Sequence, residues 1–137
     1  MRYAGDVDPA QTYAALEADP EAALVDVRTR AEWSYVGMPD LSQIGKRVIP
    51  IEWQHFPDGS LNESFVEQLR KAGVGDGAAI YFLCRSGARS ASAAELATAA
   101  GFGPAYNVSE GFEGPLDQDG HRTVSGWKAA GLPWRQG

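Results

Sequence analysis

The sequence contains a single cysteine, Cys84, and the residues around it are of types that could make its thiol reactive. It ends the seven-residue apolar run 78–84 and is followed by the loop Arg85-Ser86-Gly87-Ala88-Arg89-Ser90. An alanine-rich segment comes next. This order predicts a buried strand, a loop around the thiol, and a helix whose N-terminus points back at the sulfur. A thiolate there would be a nucleophile in an anion-binding loop.

Three features of the loop favour the thiolate over the thiol. The helix N-terminus carries a partial positive charge, and Arg85 and Arg89 each add a full one. Gly87 lets the backbone turn sharply, so that successive amides can approach an anion. A lone cysteine that ends an apolar strand is otherwise more often an inert core residue. The arginines and the glycine favour a reactive thiol.

Residues 84–90 resemble the active-site loop of the rhodanese family of sulfurtransferases. The resemblance covers nearly the whole chain, through the segments Asp26-Val27-Arg28, Glu32-Trp33, Asn107-Val108, Gly111-Phe112 and Trp127. It implies a rhodanese-like α/β fold of three layers, with a mainly parallel central sheet flanked by helices.

The resemblance also implies an activity. Cys84 would take a sulfane sulfur from a donor such as thiosulfate, hold it as a persulfide, and pass it to an acceptor such as cyanide, a thiol or a protein. Loop amides would hold the persulfide, while Arg85, with Arg89 as a second candidate, would bind the anionic tail of the donor. The expected substrate-binding residues are Arg85, Ser86, Gly87, Ala88 and Arg89. Neither a metal nor an organic cofactor is required.

Loop length distinguishes this prediction from its main rival. Cysteine-dependent phosphatases and arsenate reductases place five residues between the cysteine and the arginine, which makes room for a tetrahedral oxyanion. Here four residues separate Cys84 from Arg89, and Leu83 stands where a histidine commonly precedes a phosphatase cysteine. The shorter loop favours a single sulfur. A phosphatase or arsenate reductase, and a non-catalytic module that carries or senses sulfur, remain as alternatives.

The charged residues Asp26, Arg28 and Glu32 have two interpretations. They could act as acid–base catalysts, but the resemblance implies that they hold loops together near the strand ends. Arg28 and Glu32 are four residues apart, which would allow an ion pair across one helical turn. We favour the structural role.

The long polar loop 111–126 is a second open feature, because the shorter relatives have a tighter connection there. It carries His121 and Arg122. His121 could belong to a flap over the thiol and contact donor or acceptor. Alternatively, the loop lies on the surface with a solvent-facing histidine, which we favour.

Hydrophobic patterning supplies the elements that position the loop. It predicts strands at 22–27, 78–84 and 105–108, and an edge strand at 2–7. A further strand is predicted at 47–52, where Pro50 indicates either a sheet edge or the end of the strand. Helical segments are predicted after Asp8-Pro9, at 31–33, from 62 to 73, from the cysteine loop to 101, and at 126–130, with a loop at 36–46. The alternation indicates a mainly parallel sheet, in which ligands bind at the carboxyl ends of the strands. Cys84 lies at such an end.

Two details of helix packing also follow from the sequence. Asn62 is predicted to cap the helix that ends at Gly73, with Leu61 and Val66 forming a hydrophobic staple. Later in the chain, a smooth face should lie against the sheet, formed by Ala93, Leu96, Ala97 and Ala100.

Composition limits the class of protein. The 137 residues fit one domain, 1–137, with 44% hydrophobic and 22% charged residues. The sequence shows no membrane-length apolar run and no signal-peptide pattern, so we expect a cytoplasmic protein without a membrane partner. A net charge of −6 argues against nucleic-acid binding. Because there is no second cysteine, an outside acceptor must complete any sulfur chemistry.

Overall fold

The computed structural model describes residues 2–55, 58–75, 77–114, 118–121 and 125–136. In chain order its elements are β1 (Gly5–Val7), α1 (Pro9–Ala18), β2 (Ala23–Asp26), α2 (Arg30–Tyr35), β3 (Met38–Pro39), a 3₁₀ turn (Ser42–Ile44), β4 (Ile49–Pro50), α3 (Phe65–Lys71), β5 (Ile80–Leu83), α4 (Ala88–Ala99), β6 (Ala105–Val108) and β7 (Trp134–Arg135). In the described part of the chain, no helix has the length and apolar character to cross a membrane.

The central sheet has five strands in the order β1-β6-β5-β2-β4, and every neighbouring pair is parallel. This confirms the predicted α/β fold, including the two edge strands. All four residues of β5 are buried, which explains its uniformly apolar sequence. Asp26 on β2 lies opposite Leu83 on β5, so the carboxyl end of β2 flanks the start of the cysteine loop.

Helices and loops cover both faces of the sheet. Side chains alternate along a strand, so Ile80 and Phe82 pack on one face with α3 and α4. Tyr81 and Leu83 pack on the other face with Leu16 of α1 and with Trp127. The predicted three-layer arrangement is therefore confirmed.

The start of α1 follows prediction and the start of α3 does not. Asp8 caps α1, accepting the Gln11 N–H at 2.7 Å. Asn62, however, is not the cap of α3, because Ser64 occupies that position. Asn62 instead shapes the preceding turn, accepting the Ser64 N–H at 3.1 Å. The proposed staple is also wrong, since Leu61 is 59% exposed.

The sheet-facing side of α4 is shifted relative to the prediction. Ala93, Ala94 and Ala97 are fully buried, together with Ser90, whereas Leu96 is exposed. The stripe therefore begins at Ser90, whose buried hydroxyl oxygen lies 3.2 Å from the cysteine sulfur. Alanines in this stripe let the helix lie close to the sheet.

The predicted terminal helix at 126–130 is wrong. One helical hydrogen bond forms there, from the Ala130 N–H to the Gly126 carbonyl, and the segment is a turn that ends at Gly131. Buried Trp127 donates its indole N–H to the Pro133 carbonyl at 2.7 Å and so ties the end of the chain to the core. The following strand, β7, pairs antiparallel with β3, inside the segment 36–46 that was predicted as loop.

Candidate functional site

The cysteine loop wraps around a buried sulfur. Cys84 follows β5 directly and is only 1% exposed. Gly87, the N-cap of α4, donates its backbone N–H to Cys84 Sγ at 3.1 Å. The backbone reaches this position with a φ of +113° at Gly87, a left-handed conformation that glycine adopts more readily than other residues. The prediction that a helix N-terminus points back at the sulfur is confirmed.

The chain after β6 holds the loop in this shape. Phe112 N–H donates to the Cys84 carbonyl at 2.8 Å, and Glu113 N–H donates to the Arg85 carbonyl at 3.0 Å. Gly111 permits the approach, because a Cβ there would lie 2.6 Å from the Cys84 carbonyl oxygen. Backbone contacts therefore fix the loop independently of its side chains.

The two loop arginines have different surroundings. Arg89 forms a two-bond ion pair with Glu32 of α2, with distances of 2.7 and 2.9 Å. The side chains of this pair are only 22% and 20% exposed. Arg85 is exposed, and within the described residues it makes no ion pair. Arg89 therefore joins α4 to α2, while Arg85 is the cation available to an incoming anion.

Electrostatics around Glu32 favours its charged form. Burial by itself would raise the pKa of Glu32, but hydrogen bonds from Arg89 and Thr29 and the charge of Arg89 outweigh it, so the pKa lies below 4.5. The hydrogen bonds from Arg89 to Glu32 correspondingly raise the pKa of Arg89. The pair is thus ionised throughout the neutral range.

A second ion pair lies beneath the loop. Asp26 and Arg28 are both fully buried, and Arg28 Nη2 contacts Asp26 Oδ2 at 2.7 Å. The same nitrogen donates to the Gly37 carbonyl at 2.7 Å, and the guanidinium lies 4.3 Å from the centre of the Phe112 ring. These contacts link the end of β2 to two loops, which supports the structural interpretation.

The predicted Arg28–Glu32 pair is wrong. Thr29 caps α2, so Arg28 precedes the helix and the spacing rule for helical neighbours does not apply to it. Its side chain turns back to Asp26 at the end of the strand. Glu32 is consequently available to Arg89.

Two residues contact the sulfur site without having been assigned a role from sequence. Ser90 Oγ lies 3.2 Å from Cys84 Sγ and 2.5 Å from Asn107 Oδ1 on β6. Asn107 Nδ2 in turn donates to Asp6 Oδ1 of β1 at 3.0 Å. A serine within a stripe of buried alanines was the available signal, because a buried hydroxyl requires a partner.

The sequence and the fold of this chain are both similar to those of known proteins. Residues 5–137 match the family described as STR4 middle domain. The chain belongs to this family. An uncharacterized protein of Rickettsia conorii is 43% identical over 127 residues, which cover 91% of this chain and 92% of that protein. A crystal structure of Rv0390 from M. tuberculosis has 53% identity and a TM-score of 0.91, covering 98% of this chain and 99% of that one.

The names of more distant matches refer to rhodanese or to sulfur transfer. The rhodanese-like domain-containing protein 4 of Arabidopsis thaliana chloroplasts is 29% identical over 89% of this chain and 24% of that protein. A polysulfide-sulfur transferase homodimer from Wolinella succinogenes shares the fold, with a TM-score of 0.65 and 23% identity over 96% of this chain and 78% of that one. The chain is therefore similar to part of a rhodanese-like plant protein and shares its fold with a sulfur transferase.

Three further residues predicted from the sequence are Ser86, Ala88 and His121. Ser86 is half-buried, and Ala88 is the exposed first residue of α4. His121 is exposed, as the surface-loop interpretation predicts. The flap hypothesis stays a prediction, because Arg122 and its neighbours 115–117 and 123–124 lie outside the described residues.

The Glu32–Arg89 pair gives this STR4 domain a testable pH dependence. Glu32→Gln keeps the shape and an oxygen that can accept the Thr29 N–H, but it removes the charge and one of the two oxygens that accept from Arg89. We therefore expect the free energy of unfolding at pH 7 to fall by about 1–2 kcal/mol. The folded-state pKa of Glu32 is depressed, so its contribution is present above the unfolded value and disappears as acid protonates the folded carboxylate. The free energies of unfolding of the two proteins, measured with urea, should therefore converge as the pH falls through the lowered folded-state pKa of Glu32.

Glu67→Gln is the matched control for this measurement. Glu67 also faces a cation, Lys71, but at 3.4 Å with side chains 68% and 75% exposed, so its loss should change stability by less than about 0.5 kcal/mol. A Glu32→Gln deficit that is as large in acid as at pH 7 would show that packing, not charge, is responsible.

Proposed function

We propose that this domain is a sulfurtransferase in which Cys84 carries a sulfane sulfur between an anionic donor and a nucleophilic acceptor. The observation that carries the proposal is the loop itself, which seats one sulfur at the N-terminus of α4 within reach of the Gly87 N–H. Thiosulfate is the expected donor class. Cyanide, a small thiol or a protein thiol is the expected acceptor.

The proposed cycle has two displacement steps. The Cys84 thiolate attacks the outer sulfur of thiosulfate, the donor S–S bond breaks, and sulfite leaves with the bonding electrons. This forms a persulfide anion on Cys84, held by loop amides between Arg85 and Arg89. An acceptor then attacks the outer sulfur, and the Cys84 thiolate leaves from it unchanged, as a ping-pong cycle requires.

The side chains take distinct roles in this cycle. Arg85 is exposed beside the cysteine and would bind the sulfonate of the donor through charge-assisted hydrogen bonds. Arg89, the second candidate for that task, already directs two donors at Glu32 and is better assigned to bracing α4. The same engagement argues against a phosphatase, which needs the arginine of its loop to hold the oxyanion.

Sulfur loading and turnover test the proposal. Incubation with thiosulfate should increase the intact mass by one sulfur, cyanide should remove that sulfur as thiocyanate, and Cys84→Ser should abolish both. Serine is close to cysteine in size, so we expect this variant to fold normally. An unchanged unfolding curve would exclude misfolding as the cause of the lost loading.

Three other outcomes would oppose the proposal. No mass increase with thiosulfate or with a small-molecule persulfide would overturn it. Stable loading without thiocyanate release would indicate a module that carries or senses sulfur. Cys84-dependent hydrolysis of a phosphate ester, without loading, would indicate the phosphatase alternative.

A further inference from the structure

A buried polar chain runs from the cysteine sulfur to the surface at the edge strand β1. Cys84, Ser90 and Asn107 are only 1%, 0% and 5% exposed. Ser90 Oγ lies 3.2 Å from Cys84 Sγ and 2.5 Å from Asn107 Oδ1, and Asn107 Nδ2 lies 3.0 Å from Asp6 Oδ1. Asp6, which also accepts from Tyr3 OH at 2.8 Å, is exposed. We refer to Ser90, Asn107 and Asp6 as the relay.

Chemistry fixes the direction of each hydrogen bond in the relay. The Asp6 carboxylate only accepts, so Asn107 must present its amide nitrogen to Asp6 and its amide oxygen to Ser90. That oxygen also only accepts, and at 2.5 Å it is much nearer to Ser90 Oγ than the Gly87 carbonyl oxygen at 3.2 Å. The single hydroxyl proton of Ser90 is therefore donated to Asn107. The Ser90 oxygen therefore faces Cys84 with its lone pairs.

We infer that Asn107 is a positioning residue that, through Ser90, holds the resting Cys84 sulfur as a thiol. A thiol S–H can donate to the Ser90 lone pair, whereas a thiolate would face that lone pair without a proton between them. For the serine to donate to the thiolate, its proton must leave Asn107 Oδ1, a buried acceptor that then has no donor. The inference rests on the proposed function only in taking Cys84 as the reacting group.

The relay opposes the other influences on the sulfur. The Gly87 N–H, the N-terminus of α4 and the charge of Arg89 all favour the thiolate. Among the described residues, charged groups on the segments around the loop include Arg85, Glu110, Glu113, and the ion pairs Glu32–Arg89 and Asp26–Arg28. These groups are unchanged in Asn107→Ala, so that variant isolates the effect of the hydroxyl proton.

The test is the pH titration of Cys84, followed by the ultraviolet absorbance of its thiolate. The Cys84→Ser form of each variant supplies the tyrosine background. Asn107→Ala removes the nearest acceptor and leaves two others at 3.2 Å, the neutral Gly87 carbonyl and the sulfur. A thiolate is the stronger acceptor because it is charged, so Ser90 donates to it and the titration midpoint should fall by about one pH unit. Below the midpoint, this corresponds to roughly ten times more thiolate.

Asp6→Ala is the second variant. Because Asp6 is exposed, its replacement should not disturb folding, and the inference remains testable if Asn107→Ala fails to fold. Without the carboxylate, the Asn107 amide can turn its nitrogen toward Ser90, which releases the hydroxyl proton for the sulfur, and the midpoint should again fall. Loss of the Asp6 charge alone would also favour the thiolate. Both changes are therefore repeated in a Ser90→Ala background, where an effect through the hydroxyl must vanish.

The outcomes separate the relay from the proposed function. An unchanged or higher midpoint in Asn107→Ala and Asp6→Ala, or an equal fall in the Ser90→Ala background, would overturn the relay. Sulfur loading of the unmodified protein from thiosulfate and from a small-molecule persulfide is measured in parallel. Loading of that protein without a midpoint shift in the variants overturns the relay and leaves the function. A shift in the variants without loading of the unmodified protein from either donor overturns the function and leaves the relay.

Discussion

Asp26→Asn is expected to lower the free energy of unfolding by about 3–5 kcal/mol, because it leaves the Arg28 cation buried without a counter-charge. Both side chains are 0% exposed, and a guanidinium cannot lose its proton to escape the penalty. Domains of this size are stable by only about 5–15 kcal/mol. Urea unfolding at neutral pH should therefore show a large loss for an almost isosteric change.

The double variant Asp26→Asn/Arg28→Met distinguishes charge from shape. If the unpaired cation is responsible, removing it should restore much of the lost stability, since replacing both members of a buried pair is often nearly neutral. A double variant as unstable as Asp26→Asn would instead assign the loss to the contacts that Arg28 makes with the Gly37 carbonyl and the Phe112 ring.

This buried pair is better suited to fixing geometry than to maximising stability. Arg28 Nη1 is buried and has no hydrogen-bond partner among the described residues. The other nitrogens reach Asp26 and Gly37, and the guanidinium covers Phe112, whose backbone N–H holds the Cys84 carbonyl. The pair thus connects the end of β2 to the cysteine loop through Phe112.

Local rules were enough to predict the sequence of elements that carries Cys84. A uniformly apolar run ending at the cysteine indicated a central strand, and Gly87 indicated a sharp turn into a helix; both depend on neighbouring residues only. The Asp8-Pro9 helix start was predictable for the same reason. The α/β fold then followed from the alternation of such elements.

The Glu32–Arg89 ion pair and the Asn107–Asp6 hydrogen bond could not be predicted because they depend on how distant elements approach one another. Glu32 and Arg89 are 57 positions apart in the chain and meet only when α2 and α4 pack at the same end of the sheet. Asn107 and Asp6 are 101 positions apart. Likewise, the two-residue strands β3 and β7 are too short to carry a pattern, and each is defined by the other.

The sharpest test of the loop geometry is Gly87→Ala, which we expect to slow sulfur loading from thiosulfate at least about 100-fold. A Cβ at this position would collide with the Ser109 backbone carbonyl, whose carbon would lie only 3.0 Å away. Because the obstacle is backbone, Gly87 itself must move, and its N–H would leave Cys84 Sγ. Stopped-flow or quenched loading, read by intact mass, measures the rate.

Gly101→Ala at the other end of α4 is the matched control. Gly101 also has a positive φ, +91°, but a Cβ there meets nothing within 4 Å. Both variants carry the conformational strain of a left-handed residue, about 1–3 kcal/mol, and only Gly87→Ala adds the collision beside the sulfur. Gly101→Ala should therefore lose stability yet load sulfur within about twofold of the unmodified rate. Equal loading by the two variants would mean that the Gly87 N–H does not contribute to holding the reacting sulfur, and the loop would lose its assigned role in the chemistry.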